Sequence, residues 1–265
     1  MSRPKIIVCI KQVPDPEGPP SAFEVDSDAK KIKPVGIPPV INPFDENALE
    51  AALQLKEKHG GSVVALSLGE KLAKPMLTKA LGVGADDLIL LEDEHFYGLD
   101  SHSVALVLST AIKKIGEYDL VLAGRQSGDW GFGQTASILA EILQIPCISV
   151  AQSIKIEDGR VLAGRLRRNG HEIVRASMPV LIAVDSQIGN LRFPSLKALA
   201  LARKTPVTYW GIRELELDPK GLKTNRIFKL SPPPSREREI VFIEGETLQE
   251  KGEKLALALR RDRLI

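Results

Sequence analysis

The chain has 265 residues, 43% hydrophobic and 26% charged, a composition typical of a soluble globular protein with a sizeable core. Lys+Arg 36 against Asp+Glu 34 leave a formal net charge of +2, so no overall field favours nucleic acid or an anionic membrane. No apolar run approaches the roughly 20 residues that span a bilayer. The run after Met1-Ser-Arg-Pro-Lys5 is too short for a secretory signal. We therefore expect a cytoplasmic protein without a nucleic-acid partner.

The two cysteines, Cys9 and Cys147, both lie in apolar contexts typical of strands. They do not form a Cys-x-x-Cys pair, and with four scattered histidines they match no zinc pattern. We expect two buried, reduced thiols.

In chain order, the first half alternates short apolar runs with helical patterns. We predict strands over residues 5–10, 62–68, 87–91 and 120–123, and helices over 45–58, 71–81, 101–115 and 134–143. Asp45 is the expected N-cap of the first helix, and Gly60-Gly61 its end. This βα rhythm predicts a doubly wound, mostly parallel α/β sheet with helices on both faces.

The pattern changes after residue 147. We predict antiparallel strands over 154–156, 161–168 and 172–176, because Asp158-Gly159 and Asn169-Gly170 between them are typical hairpin turns. The apolar run Val180–Val184 is typical of a buried strand. Behind it, Ser195 is the expected N-cap of an apolar helix that ends in Arg203-Lys204. The fold should therefore contain a late antiparallel insertion.

The character changes again after residue 210. Residues 215–229 are polar and irregular, and Ser231-Pro-Pro-Pro-Ser235 is typical of a rigid linker. Residues 246–261 predict a charged helix with one apolar face, which could pack on the same chain or on a partner. We expect an α/β domain over residues 1–210 and a C-terminal extension over 211–265.

The strongest candidate for ligand binding is the loop over residues 124–135, between a predicted strand and helix. Its glycines allow the backbone to approach an anion, and the amides of Gln134 and Thr135 would lie at a helix N-terminus, where partial positive charge favours phosphate. The loop matches neither Gly-x-Gly-x-x-Gly nor a Walker motif, so an ordinary flexible βα loop remains an alternative.

Three further segments leave the carboxyl ends of predicted strands or begin helices. They are residues 8–15, the Ile41-Asn-Pro-Phe-Asp-Glu46 segment, and Ser67-Leu68-Gly69. Each is also compatible with simple strand-exit or helix-start chemistry. Because carboxyl ends of parallel strands share one edge, we expect all four segments to line that edge.

Taken together and in order, these segments resemble the electron transfer flavoprotein β-subunit. The similarity extends to Leu81–Asp86 and to the loop Arg192-Phe-Pro-Ser-Leu196, and it covers the chain to about residue 210. It implies an electron carrier with little activity alone, which pairs with an α-subunit. A redox FAD would lie mainly on that α-subunit, and residues 1–210 would bind AMP or a second FAD. The extension over 211–265 would then pack on the α-subunit.

The resemblance also implies site residues. The cofactor-binding candidates are Cys9, Asn42, Pro43, Phe44, Asp45, Leu68, Gly124, Arg125, Gln126, Asp129, Gly133, Gln134 and Thr135. The partner-binding candidates are Arg192, Phe193, Leu196, Arg203 and Lys204. The implied partners are an acyl-CoA or other flavin dehydrogenase, and a quinone oxidoreductase or ferredoxin or flavodoxin as acceptor.

Two alternatives remain open. Arg125 is similar to the electron-bifurcating branch with a second flavin, whereas Gln134-Thr135 is similar to the AMP-binding branch. The second alternative is of another class, a free-standing adenine-nucleotide-binding or ATP-hydrolysing domain. A phosphate-binding lysine or a Mg²⁺-binding Ser or Thr in the glycine loop would favour that alternative, and neither is evident in the loop. We expect no catalytic residue and no bound metal.

Overall fold

A mostly parallel sheet is the centre of the fold. The structure is a computed structural model that describes residues 3–28, 30–232 and 240–265. Its strands are β1 (Lys5–Cys9), β2 (Gln12–Pro14), β3 (Phe23–Asp26), β4 (Lys31–Pro34), β5 (Pro39–Ile41), β6 (Ser62–Gly69), β7 (Asp87–Glu92), β8 (Leu120–Gly124), β9 (Cys147–Glu157), β10 (Arg160–Arg167), β11 (Gly170–Ser177), β12 (Val180–Val184) and β13 (Thr208–Trp210). Its helices are α1 (Pro43–His59), α2 (Lys74–Leu77), α3 (Lys79–Val83), α4 (Ser101–Ile115), α5 (Thr135–Leu143), α6 (Leu196–Ala202) and α7 (Leu248–Arg261).

Within the described ranges, nine strands form one sheet in the order β11-β10-β9-β12-β8-β1-β6-β7-β13. Strands β12, β8, β1, β6, β7 and β13 pair in parallel, and β9, β10 and β11 form antiparallel hairpins at one edge. The predicted doubly wound sheet with a late antiparallel insertion is confirmed. The ribbons β2-β5 and β3-β4, which the sequence analysis did not predict, lie between β1 and α1 in the chain.

Two core layers explain why the central strands are apolar throughout. Along β1, Ile6 and Val8 pack in the cluster that includes α1, α2 and α3, while Ile7 and Cys9 pack in the cluster that includes α4 and α5. A strand covered by helices on both faces buries every side chain, so it lacks the apolar–polar alternation of a half-exposed strand. This arrangement leaves the strand ends as the accessible part of the sheet.

Several predicted elements are confirmed closely, and a few are wrong. Helix α4 and strand β12 have their predicted bounds, and Gly60 ends α1 with a φ of 76°. The helix predicted over 71–81 begins only at Lys74 and is divided in two at Thr78. The reason is tertiary, because the amides of Leu72 and Ala73 bond the side chains of Glu92 and Gln12.

The first antiparallel strand was predicted too short. Strand β9 begins at Cys147 as a parallel neighbour of β12 and continues into the hairpin with β10. Val150 has a φ of 57°, and the register with β12 shifts nearby. This irregularity interrupts the period-2 pattern on which the prediction depended. Cys147 is exposed, so the expectation of two buried thiols is wrong for it and confirmed for Cys9.

The chain divides into two compact units, Met1–Lys229 and Leu230–Ile265. In the second unit, Thr247 caps α7 by accepting the amide of Glu250 at 3.2 Å. Leu248 and Phe242 are exposed there. Most of the predicted proline linker, from Pro233 to Ser235, lies outside the described residues. None of the described helices has the length and apolar character needed to cross a membrane.

Candidate functional site

A cavity opens at the carboxyl ends of β1, β6 and β8, where an open parallel sheet leaves room for a ligand. Apolar side chains of β6 and α4 line one part of it, including Leu66, Leu68, Val104 and Leu108. The loop after β8 lines another part. Most predicted cofactor-binding residues border the cavity, namely Cys9, Asn42, Asp45, Leu68, Gly124, Arg125, Gln126, Gly133, Gln134 and Thr135. Pro43, Phe44 and Asp129 do not border it.

Asn42 and Asp45 fasten the loop after β8 to the end of β1. The Asn42 side chain donates to the Gln126 carbonyl at 2.9 Å and accepts the Gly128 amide at 3.0 Å. The two carboxylate oxygens of Asp45 accept the amides of Lys11 at 2.8 Å and Gly124 at 2.9 Å. These two side chains therefore determine where the backbone of both segments lies at the cavity.

The expectation that Asp45 caps α1 is wrong. Asn42 occupies the N-cap position, and Pro43 begins the helix, where its lack of an N–H costs nothing. Asp45 lies in the first turn of α1 and is only 6% exposed. Its carboxylate bonds the amides of Lys11 and Gly124 at the ends of β1 and β8 and caps no amide of its own helix. Local sequence cannot distinguish a cap from a long-range bridge, because both use an aspartate at a helix start.

The buried groups here have shifted acidities. Burial raises the pKa of Asp45 to about 7, against the opposing effect of the Lys11 amide, Asn42 and the Gly124 amide. Burial, with a smaller effect from Asp45, raises the pKa of Cys9 to about 12. The Cys9 thiol therefore stays protonated, which makes it a poor nucleophile.

Lys11 and Asp129 close the loop over the end of β1. The Lys11 Nζ lies 2.6 Å and 2.8 Å from the two carboxylate oxygens of Asp129, which also accepts the Trp130 amide at 2.8 Å. Burial acts to raise the pKa of Asp129, but the Lys11 charge and hydrogen bonds outweigh it and lower the pKa. Asp129 thus stabilises the loop from outside the cavity.

Glycines in this loop are required by the backbone. A Cβ at Gly124 would lie 2.4 Å from Asp45 Oδ1 and 2.7 Å from Phe44 Cβ, which no side chain tolerates. Gly133 has a φ of 62°, in the left-handed region that favours glycine. The glycines therefore permit a close approach of loop and helix α1, and a turn into α5.

Helix α5 begins at the cavity. Its N-cap, Gln134, makes no side-chain capping hydrogen bond, and Gly133, Thr135 and Ala136 border the cavity with it. The first amides of a helix have no partner within the helix and carry partial positive charge. This end of α5 therefore offers free donors suited to a phosphate.

Aromatic and cationic side chains lie at the rim. The rings of Trp130 and Phe132 stack with centroids 5.8 Å apart, and both are about half exposed. The Arg125 guanidinium lies 4.9 Å from the centre of the Phe44 ring, and its Nε lies 3.3 Å from Asp185 Oδ1. Phe44 therefore positions Arg125 at the rim without bordering the cavity itself.

The cavity also holds residues that the list of site residues did not include: Lys11, which lies in the predicted 8–15 segment, Leu99 and Ser101 before and at the start of α4, and Asn225. Asp100 before Ser101 is a recognisable cap, and its carboxylate accepts the Ser103 amide at 2.7 Å. That signal could have placed the start of α4 at the same sheet edge. Asn225 lies in an irregular segment with no local pattern, and only the tertiary structure places it here.

The loop before α6 presents an apolar surface. Phe193 is 96% exposed and Leu196 is 86% exposed, while Ser195 caps α6 by accepting the Ala198 amide at 3.1 Å, as predicted. Arg203 and Lys204 are exposed at the end of the helix. The capping hydrogen bond therefore fixes the junction between this loop and α6, and the two large apolar side chains remain exposed.

Arg192 differs from its exposed neighbours. Its guanidinium lies 2.9 Å from a Glu50 carboxylate oxygen on α1 and also pairs with Glu57. Both glutamates raise the pKa of Arg192. Burial by itself would raise the pKa of Glu50, but the hydrogen bonds and the charge of Arg192 have the larger, opposite effect, so the pKa is lowered. Arg192 therefore anchors the loop to α1.

Among the residues that the structure describes, no group of three or more His, Cys, Asp or Glu side chains is arranged to hold a metal ion. The chain has the doubly wound α/β fold, and its cavity lies at the strand ends of the parallel sheet, where proteins of this class bind their ligands. Residues 31–213 match the family described as the electron transfer flavoprotein domain.

The curated relatives agree with that match. The chain is 36% identical to the electron transfer flavoprotein subunit beta of Thermoanaerobacterium thermosaccharolyticum, over 89% of this chain and 91% of that protein. It is 32% identical to the caffeyl-CoA reductase-Etf complex subunit CarD of Acetobacterium woodii, over 98% and 100%. It is also 32% identical to the acryloyl-CoA reductase electron transfer subunit gamma of Anaerotignum propionicum, over 98% and 100%. The chain belongs to the electron transfer flavoprotein family as a β-type subunit, and it is an electron carrier.

Proposed function

We propose that this chain pairs with an electron transfer flavoprotein α-subunit and binds an adenine nucleotide, AMP or a second FAD, in the cavity at the strand ends. The observation that carries the proposal is the junction of the glycine loop and the start of α5 at one cavity. A redox FAD held mainly by the α-subunit would supply the electron chemistry, while this chain would bind and position its own nucleotide.

The residues present fit an adenine nucleotide. The apolar part of the cavity, with Leu66, Leu68 and Leu108, suits an adenine ring. Free amides at the start of α5 suit the phosphate.

The choice between AMP and FAD depends on the rim. Arg125 and the stacked Trp130–Phe132 pair suit the larger ligand, because cationic and aromatic groups can contact a flavin. Gln134 and Thr135 suit the phosphate of AMP equally well. We favour the second FAD, and with it an electron-bifurcating role.

We further propose that the loop before α6 docks the electron donor. Phe193 and Leu196 form an apolar anchor, and Arg203 and Lys204 supply a basic rim, an arrangement typical of interface hot spots. A dehydrogenase for acyl-CoA or a related substrate fits the reductase complexes named among the relatives. The acceptor would be a quinone oxidoreductase, or a ferredoxin or flavodoxin.

The second unit, which is the larger part of the predicted extension over 211–265 and has Phe242 and Leu248 exposed, is proposed to pack on the α-subunit. The large apolar side chains that are exposed within this unit support a covering partner.

The test is to produce the chain together with an electron transfer flavoprotein α-subunit and to measure flavin per complex. We expect a coloured 1:1 complex, with two flavins if the cavity holds FAD and one flavin plus AMP otherwise. A colourless single chain with ATPase activity would reject the proposal in favour of the free-standing nucleotide-binding domain.

A further inference from the structure

A short segment outside the matched family range lies at the mouth of the cavity. We call residues 222–225 the strap. The strap is fastened to the start of α4, since the Lys223 carbonyl accepts the Asp100 amide at 3.0 Å and the Lys223 amide donates to Ser103 Oγ at 2.8 Å. Thr224 forms a bridge to Leu99. Ser103 is fully buried, so this attachment belongs to the folded core and not to a loose surface loop.

Asn225 ends the strap and reaches the cavity. Its backbone amide donates to the Gly98 carbonyl at 2.9 Å, which determines the position of the residue. Its side-chain Nδ2 donates to the Leu99 carbonyl at 3.4 Å, a long hydrogen bond that a ligand could replace at small cost. The side chain of Asn225 is thus held near the cavity while retaining capacity for another partner.

A recess adjoins the cavity at this point. Ser101, Phe132, Gln134 and Asn225 border both the cavity and the recess. The recess is lined in addition by Asp100, His102 and Ile138. Gln134 is the N-cap of α5, so the recess begins where the proposed phosphate position lies.

The position of the recess suits it to hold the part of a ligand that extends beyond the first phosphate. With the adenine in the apolar part and the first phosphate at α5, any group attached beyond that phosphate can continue past Gln134 into the recess. It would pass Asn225 on its way, and the amide of Asn225 can bond the polar atoms of a diphosphate or a sugar alcohol.

We propose that Asn225, which the strap holds at the cavity, is a binding residue for the part of a dinucleotide that lies beyond its first phosphate, and that this contact favours dinucleotides over AMP. The inference rests on the proposed function and extends it to a segment outside residues 31–213.

The test compares FAD and AMP binding to the full-length chain by titration calorimetry, for the wild type, Asn225→Ala and Thr224→Ala. Thr224 is the matched control, because it belongs to the same strap and does not border the cavity. Asn225→Ala should lower the affinity for FAD about tenfold, the effect of one lost hydrogen bond, and leave the affinity for AMP within about twofold. Thr224→Ala should change neither affinity by more than about twofold.

Retained AMP binding by Asn225→Ala also shows that the variant folds. An unchanged FAD affinity in Asn225→Ala, or an equal loss for AMP, would overturn the inference. A wild-type chain that binds AMP but not FAD would overturn it and leave the proposed nucleotide site intact. A wild-type chain that binds neither would remove the proposed function and the inference together.

Discussion

Replacing Gly124 with alanine tests the geometry of the site most sharply. Gly124 ends β8, and its amide donates to Asp45. An added Cβ would meet Asp45 Oδ1 at 2.4 Å, Phe44 Cβ at 2.7 Å and the Phe44 carbonyl carbon at 2.8 Å. Two of these atoms belong to the first turn of α1 near its backbone, so a side-chain rotation cannot relieve the clash.

The expected cost follows from these contacts. Overpacking a tight site costs about 1–3 kcal/mol. Moving α1 away would also stretch the bond between the Gly124 amide and the Asp45 carboxylate, and a hydrogen bond to a charged group contributes about 1.5–3 kcal/mol. We expect Gly124→Ala to destabilise the fold by about 3 kcal/mol, which lowers the melting temperature by roughly 6–12 °C for a chain of this size.

The assay is thermal unfolding followed by circular dichroism, with Gly128→Ala as the control in the same loop. A Cβ at Gly128 would lie 3.3 Å from a Pro16 side-chain atom, a contact that a small shift relieves. We expect that control to lie within about 1 kcal/mol of the wild type. Equal melting temperatures for Gly124→Ala and Gly128→Ala would refute the reasoning.

Three further predictions concern charge and reactivity. Burial raises the pKa of Asp45 from 3.8 to about 7, so its contribution to stability is fully present below about pH 4 and is lost towards pH 7. Urea unfolding curves measured at several pH values between about 4 and 7 should show the free energy of unfolding of the wild type falling relative to that of Asp45→Asn. A difference that stays constant with pH would contradict this. Arg192→Ala removes the cation that pairs with the Glu50 carboxylate, whose side chain is only 8% exposed. We expect the free energy of unfolding to fall by roughly 2 kcal/mol, less than for a fully buried pair, because Arg192 is partly exposed. Arg192→Lys should recover only part of that loss, since lysine cannot bridge two glutamates in a fork, and full recovery would argue against the anchor. With Ellman's reagent at pH 8, exposed Cys147 should react and Cys9, with its pKa near 12, should react only after unfolding; two reacting thiols in the native chain would contradict the buried position of Cys9.

The sequence predicted the fold well because the central elements are locally consistent. Strand β12 is a continuous apolar run and α4 begins at a capping aspartate, so each has the bounds that its pattern indicates. Elements that depend on long-range contacts were harder. The start of α2 is delayed by bonds to Gln12 and Glu92, which lie far away in the chain.

The sequence predicts which segments meet at the candidate site, but it does not predict what each side chain contacts there. Parallel topology places Cys9, Leu68 and Gly124 at one edge, as expected. Whether Asp45 caps a helix or bridges two strand ends depends on which backbone amides come near it. The same limit explains why Asn225, carried in by an irregular segment, was missed.

The account depends most on a nucleotide bound by this chain itself, in addition to any flavin on the partner. The direct measurement is chromatographic quantification of all adenine-containing compounds released by heat from the purified complex with the α-type subunit. The account predicts two adenine-containing molecules per heterodimer, either two FAD or one FAD and one AMP. One such molecule per heterodimer would contradict it.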